Sequence, residues 1–415
     1  MKTLFLLRLF YRELKTQRKR MMLTILALVW GTFSIVILLA FGEGLRFQMT
    51  KANHGLGEGI VIVRGDQTSK PFQGLGKGRR IFLTEEDVEL LKNRVSGIDL
   101  ISPESERYGN TMTYGQRSIT QSVIGVYPSF EEMRTYYPDW NSRFLDCLDL
   151  EKKRRVIFLG TKVKEKIFGG GQAVGNTVLI NNIPFVVVGV MRKKMQNSMY
   201  NGPDEEKAAI PFSTYKAIYG VKYLDHLIYR PKDISLAETV KKEVYKVLAI
   251  KYKFDPGDRQ ALRIWDTIEE EKTFRKIFIG FQIFLGIMGG LTLMVAGVGV
   301  ANIMYVSARR RTREVGIKMA LGAKRRYVLL QFVSEALMIA FTGGAIGVAF
   351  SLLVVQVTQA LNLQGGAADF LAHPVISLGT MVLTAFILGL IGFLAGLFPA
   401  RRAASLNPVE ALRYE

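Results

Sequence analysis

Apolar residues gather in four places along this chain. One run, Met21–Phe41, lies near the start; a long polar stretch follows; three further runs lie near Ile277–Val306, Val328–Val357 and Val375–Ala400. Crossing a hydrocarbon core of about 30 Å takes roughly 20 helical residues, and each run is long enough. The pattern predicts an α-helical membrane protein with four transmembrane helices, one plus three. Between the first and second it predicts a large extracytoplasmic α+β domain of two subdomains.

Proline placement sharpens the helices. There is none from Met1 to Lys70 and none from Gly257 to His373. Proline inside a helix costs about 3 kcal/mol, so both regions are free to carry long helices. The first is expected from about Arg18 to Lys51. The second is expected from near Asp266 through Val306, a rod of roughly 60 Å, with a break at the membrane surface near Arg275 as the alternative. Residues Lys2–Gln17 mix leucine and phenylalanine with arginine and lysine and read as a helix lying in the interface.

The polar stretch reads as short mixed elements. Gly59–Arg64, Ile98–Ser102, Ser118–Val126 and His226–Tyr229 are strand-like. Thr84–Val95 is a helix opened by Thr84 with Asp87 three residues on, a capping-box pattern. Thr161–Phe168, Pro211–Tyr219 and Leu236–Ala249 are helical. Val178–Ile180 and Phe185–Met191 flank Asn181-Asn182, a hairpin turn. The predicted organisation is 1–20, interfacial helix; 21–43, first span; 44–275, extracytoplasmic domain, with subdomains about 55–150 plus 225–265 and about 151–224; 276–306, second span with its stalk; 307–327, a connecting loop; 328–358, third span; 359–374, a short outer loop; 375–400, fourth span; 401–415, a tail.

Charge orients this arrangement. Lys plus Arg total 56 against 36 Asp plus Glu, a net charge of +20. A basic excess can signal nucleic acid or an anionic surface. Here it sits beside the spans: Arg8, Arg12, Lys15, Arg18, Lys19 and Arg20 before the first, Arg309–Arg311, Arg313, Lys318 and Lys324–Arg326 between the second and third, and Arg401 and Arg402 after the fourth, while Gln359–Pro374 has neither Lys nor Arg. The positive-inside rule then puts both termini and the 307–327 loop in the cytoplasm and the inserted domain outside, and nucleic acid is discounted. Met21–Phe41 outruns the roughly 7–15 apolar residues of a cleaved signal, and no A-x-A site follows, so it reads as a retained span. Cys147 is the only cysteine and forms no intrachain disulfide.

Little else points to chemistry. His54, His226 and His373 show no metal-ligand spacing. Gly170–Thr177 resembles a phosphate loop but has Asn176 where the lysine belongs. Asp204-Glu205-Glu206 reads as a solvated loop. Met191–Met199, with three methionines and three basic residues, reads as a loop, with an exposed substrate or partner surface as the minority reading. Small residues recur at four-residue spacing in the spans, at Gly286/Gly290 and Gly297/Ala301, then Gly343/Gly347 and Gly392/Gly396. Such spacing lets helices approach closely in lipid. Glu335 is an ionisable group inside the third span, expected to snorkel to Arg325 or Arg326, with a part in relaying motion as the functional alternative.

The 307–327 loop holds the most distinctive run. Arg313-Glu314-Val315-Gly316-Ile317-Lys318 and Ala320-Leu321-Gly322-Ala323 interleave apolar and charged positions around two glycines. Read physically, this is either an element that inserts into a partner's groove or an ordinary basic loop that fixes topology. The run, with Phe332, Glu335-Ala336 and Gly343-Gly344, resembles the signature of FtsX/MacB-type permeases of ABC transporters. Phe398-Pro399-Ala400-Arg401-Arg402-Ala403-Ala404, with Pro408 and Glu410–Arg413, resembles the family's closing motif. Leu159-Gly160, Phe168, Val174-Gly175, Ile180-Asn181, Phe185–Val190 and Ile210-Pro211 are similar to the MacB-type periplasmic core domain.

The resemblance implies a non-catalytic permease in the bacterial inner membrane. Two ATPase subunits would use ATP and magnesium, and this chain would bind no cofactor. Residues 313–318 and 320–323 would receive the ATPase motion, and long helices would carry it to the outer domain. In some relatives the ATPase is fused to the permease; the short flanks of the spans imply a separate chain here. A second permease copy would pair through spans one and two, with Gly286 and Gly290 first in line. A periplasmic adaptor and an outer-membrane channel are further implied partners. Two alternatives stay open: a lipoprotein-releasing permease, and an FtsX-like signal transmitter controlling a cell-wall hydrolase or sensor.

Overall fold

The computed structural model describes residues 18–361 and 373–405. It begins with helix α1 (Arg18–His54). The inserted region supplies β1 (Val61–Gly65), α2 (Glu85–Arg94), β2 (Ile98–Tyr114), β3 (Arg117–Val126), α3 (Phe130–Met133), α4 (Cys147–Glu151), β4 (Val156–Leu159), α5 (Thr161–Phe168), β5 (Thr177–Ile180), β6 (Ile183–Val190), β7 (Lys207–Pro211), α6 (Phe212–Tyr219), β8 (His226–Pro231), α7 (Ala237–Tyr252) and β9 (Leu262–Asp266). Helices α8 (Thr267–Arg310), α9 (Thr312–Ala320), α10 (Arg325–Ala360) and α11 (Leu378–Ala404) follow. The expected interfacial helix at Lys2–Gln17, the middle of the 359–374 loop and the motif from Pro408 to Arg413 lie outside the described residues. The chain divides into one unit of Met1–Gln48 with Arg275–Glu415 and a second of Met49–Phe274.

The first unit is helical. Four helices in the described residues are long and apolar enough to cross a membrane, in α1, α8, α10 and α11. Helix α8 has 44 residues and passes Arg275 without interruption, so the break weighed there does not occur. Absence of proline allows that length. Leu28, Ile35, Leu293, Val300, Phe332, Ala336 and Leu388 form the buried core of the unit. Glycines set the closeness of the packing. A Cβ at Gly396 would lie 2.7 Å from Ala336 Cβ, one at Gly392 2.9 Å from Ala340 Cβ, and one at Gly343 2.7 Å from Leu28 Cβ. Helix α10 therefore touches α11 on one side and α1 on another with no room for a methyl group.

The second unit is α+β, built on a nine-stranded sheet in the order β3-β7-β4-β6-β5-β2-β8-β1-β9. Strand β3 also pairs with β2, so the six strands from β3 to β2 close into a ring and β8, β1 and β9 extend it. Val123, Ile157, Leu159, Val178, Phe185, Val187 and Ile210 fill the ring. Helices α2 and α7 cover one face of the extension, with Val88, Leu91, Val240, Val244 and Leu248 buried. The two predicted subdomains thus share a sheet, and the ring takes β2 and β3 from the segment assigned to the other one. Local chemistry explains several elements. Asn181 and Asn182 have φ of 47° and 68°, which turns β5 into β6, as a two-residue hairpin requires. Thr84 and Asp87 form a capping box at the start of α2. Asp87 is buried and also accepts from Lys251 Nζ at 2.6 Å and Tyr252 Oη at 2.6 Å, which ties α2 to the end of α7.

Candidate functional site

The distinctive run between the second and third spans forms a short helix, α9. Its faces are sharply divided. Thr312, Val315 and Gly316 are buried, and Val315 joins the helical core beside Val328 and Phe332. Arg313, Ile317, Ala320 and Leu321 are exposed. Spacing of four, three and one residues places these four on a single helical stripe. Ile317 is 44% and Leu321 84% exposed, so a short helix fixed by one face presents two large apolar side chains on the other. Lys318 Nζ reaches Glu314 Oε1 at 2.9 Å along the helix and Gln331 Oε1 of α10 at 3.5 Å.

Gly322 closes the helix. Its φ is +93°, its N–H donates to Met319 O at 3.0 Å, and Ala323 N–H donates to Lys318 O at 3.0 Å. These two bonds are the Schellman closure, which needs a left-handed residue just past the helix end. The Ala-Leu-Gly-Ala run is therefore a stop signal as well as a surface: it ends α9 sharply and leaves Leu321 outward.

The other residues singled out in the spans separate into two groups. Gly297 packs within the chain, where a Cβ would lie 2.4 Å from Ile391 Cγ2, and Ala301 sits against the same core. Gly286 and Gly290 have nothing within 4 Å of a Cβ, so no helix of the described chain uses them. Glu335 is 7% exposed and pairs with Arg311, Nη1 to Oε2 at 3.3 Å. The snorkelling partners expected from the sequence, Arg325 and Arg326, are both exposed. The carboxylate turns toward the start of α9 because an arginine waits there, already out of water.

The second unit has a polar centre that the sequence concealed. Arg134, 1% exposed, donates from Nη2 to Asp204 Oδ1 at 2.8 Å and from Nη1 to Leu56 O at 2.8 Å. Lys194 Nζ donates to Asp204 Oδ2 at 2.8 Å and to Arg134 O at 2.8 Å. Lys207 Nζ lies 3.2 Å from Glu106 Oε2, and Tyr200 donates to Glu104. The expected solvated triplet is corrected here: Asp204 is completely buried, and only Glu205 and Glu206 reach outward to Lys162. Burial pushes the Asp204 carboxyl upward, but Arg134 and Lys194 together hold it below its ordinary value. Burial lowers Lys194 to about 8 against the pull of Asp204. Burial raises the Glu104 carboxyl despite Arg134 and Lys207 and lowers His226 to about 4.

This centre clamps the end of α1. Leu56 O accepts from Arg134, Gly55 O accepts from Thr135 Oγ1 at 3.0 Å, and Ala52 O accepts from Asn197 N–H at 3.1 Å. The Met191–Met199 segment therefore straps the helix end in place. Thr267, the first residue of α8, exchanges bonds with Ile60, donating from Oγ1 to Ile60 O at 2.8 Å. His54 Nε2 lies 3.6 Å from Glu271 Oε2. No group of three or more metal-ligating side chains occurs among the described residues. The phosphate-loop lookalike is a turn at Gly175, φ +87°, that enters β5 at Thr177.

Residues 21–247 match the MacB-like periplasmic core domain, and residues 286–408 match the FtsX-like permease C-terminal domain. The macrolide export ATP-binding/permease protein MacB of Bdellovibrio bacteriovorus is 28% identical over 410 residues, 98% of this chain and 61% of that protein. Its namesake in Chromobacterium violaceum is 31% identical over 404 residues, 97% of this chain and 59% of that protein. The chain thus spans about three fifths of the length of these relatives. The crystal structure of the periplasmic region of MacB from Actinobacillus actinomycetemcomitans covers 54% of this chain and 95% of its own, with 19% identity and a TM-score of 0.43. A core-domain match over more than half of the chain, joined to a permease match over most of its last third, identifies the chain as a member of the FtsX/MacB-type permease family of ABC transporters.

Proposed function

We propose that this chain is the transmembrane permease subunit of a MacB-type ABC transporter. It passes the ATP-driven motion of a separate ATPase to its extracytoplasmic domain, for export of substrate from the periplasm or the outer leaflet. The outward stripe of α9 carries this reading. A short helix with one face fixed in the bundle and Ile317 and Leu321 on the other is a plug for a groove on a partner. Helix-in-groove docking reads anchors at this spacing. The basic residues that surround it support a cytoplasmic position under the positive-inside rule, on the side where nucleotide is. Arg313, Glu314 and Lys318 flank the apolar anchors and set the register of docking.

Helices α1 and α8 suit transmission: each is continuous through its apolar span, α1 runs on to Gly55 and Leu56, whose carbonyls Thr135 and Arg134 hold, and α8 starts at Thr267, which bonds to Ile60. Gly286 and Gly290 suit the contact with a second copy, since α8 presents them bare. Two permeases would then serve two ATPase subunits, with ATP and magnesium held by the ATPase and none by this chain. A periplasmic adaptor and an outer-membrane channel would complete a path to the exterior.

The test is co-purification. Affinity-tagged full-length chain, extracted from its native membranes, should retain an ATP-binding-cassette ATPase and stimulate its hydrolysis. Retention should disappear when Ile317 and Leu321 are both changed to Glu. Equal retention by the double variant sinks the assignment of α9 as the docking element.

A further inference from the structure

We propose that the third span, not only the first two, carries motion out of α9, and that the Arg311–Glu335 pair is the joint through which it does so. The inference rests on the docking role given to α9 and adds the route that leaves it. Arg311 occupies the position just before α9, with its side chain 14% exposed, and Glu335 lies in α10, its side chain 8% exposed. Lys318, near the other end of α9, touches Gln331 of the same helix at 3.5 Å. Val315 between them is buried in the core that also holds Val328 and Phe332. Positions 328, 331, 332 and 335 are one face of a helix. One side of α9 is therefore seated along one side of α10 by an ion pair at its start, a hydrogen bond near its end and an apolar contact between.

Two further faces of α10 are closely packed, while a third is exposed along Leu330, Phe341, Ile346 and Leu353. Gly343 and Gly347 meet α1, where a Cβ at Gly347 would lie 2.7 Å from Thr32 Cβ, and Ala336 and Ala340 meet the glycines of α11. A close-packed helix transmits a displacement rather than absorbing it. A push on α9 thus reaches α1 by way of α10. The ion pair suits a joint better than an apolar contact would. Separating two charges that are out of water is costly in a way that sliding two leucines is not, so α9 and α10 move together or not at all. Arg311 and Glu335 are positioning residues; neither touches nucleotide or cargo.

The experiment has two arms on full-length chain in phosphatidylethanolamine/phosphatidylglycerol nanodiscs. The first needs no ATPase. Amide exchange over Thr312–Ala320 should quicken at least tenfold in Glu335→Gln and in Arg311→Gln, and return to within threefold of wild type in the double charge swap Arg311→Glu/Glu335→Arg. The second uses the ATPase retained from native membranes and a fluorophore on the exposed native Cys147. Glu335→Gln should keep ATPase affinity within threefold and lose at least four fifths of the ATP-dependent change in the Cys147 signal, with the charge swap restoring half or more. Unchanged exchange in Glu335→Gln, or a full nucleotide response in that variant, overturns the inference. A wild type that binds no ATPase defeats the docking role instead, and the exchange arm still decides whether the pair seats α9 on α10.

Discussion

Truncating Leu321 is the sharpest probe of the proposed docking surface. Leu321 is 84% exposed, so nearly all of its apolar surface is available to a partner. Burying a leucine fully is worth about 2 kcal/mol relative to leaving it in water. Changing Leu321 to Ala should therefore cost about 1.5 kcal/mol of docking energy, roughly a tenfold rise in Kd at about 1.4 kcal/mol per decade. Ile317 is 44% exposed and has half as much to gain; Ile317→Ala should cost about 0.8 kcal/mol, roughly fourfold. The fold of α9 should survive both, because its anchoring residues Thr312, Val315 and Gly316 lie on the opposite face. Biolayer interferometry of nanodisc-embedded full chain against the purified ATPase measures these values directly. Trp140, 87% exposed in the second unit, is the matched control and should leave Kd unchanged on replacement by Ala. A Leu321→Ala variant whose Kd stays within twofold of wild type refutes the reasoning.

Three further outcomes are expected. Asp204→Leu leaves Arg134 and Lys194 without their shared buried carboxylate and should destabilise the second unit by about 3–5 kcal/mol, read as a fall in the denaturant midpoint of the full chain; a fall no larger than that of an exposed-site control contradicts the account. His226 is lowered to about 4 in the fold against 6.5 unfolded, so between these values the unfolded chain takes up the proton that the folded chain refuses. The stability it contributes is full above pH 6.5 and falls away toward pH 4, by about 3 kcal/mol. His226→Gln should flatten that window relative to wild type, while the opposite-signed contribution of Glu104 remains in both proteins. Finally, an impermeant maleimide applied to intact cells should label native Cys147, and in a Cys147→Ser background should leave Ala320→Cys unlabelled until the membrane is opened; the reverse pattern inverts the topology.

Much of the helical half was legible because membrane spans obey simple rules. Length and apolar continuity located α1, α8, α10 and α11 to within a few residues, and missing prolines marked the long runs of α1 and α8. Strong local chemistry also carried through: Thr161–Phe168, the Thr84–Asp87 capping box and the Asn181-Asn182 turn are where their residues put them. The failures share a cause. Strand β4 is four residues long, and β7 begins with Lys207, which is charged yet 2% exposed. Strand β2 continues through Glu104 and Ser105, 0% and 1% exposed, although both types normally mark a strand's end. The charged residues among these are inside only because a distant partner meets them. Asp204 is answered by Arg134, 70 residues away, and Glu335 by Arg311, 24 residues back across a turn. Spacing rules see neighbours one helical turn apart; they do not see an arginine delivered by the fold. The outward stripe of α9 was half visible: its alternation was plain, but which apolar residues faced water followed from Val315 finding the core.

The reach of β2 has a mechanical consequence. That strand contributes Ile98 and Ile101 to one hydrophobic centre and Met112 to another, and along its length it bonds in turn to β8, β3 and β5. Prising the two centres apart would mean tearing a ladder shared by both. A load applied to either end of that strand would therefore spread through both centres, and the sheet would resist bending between them as a beam does.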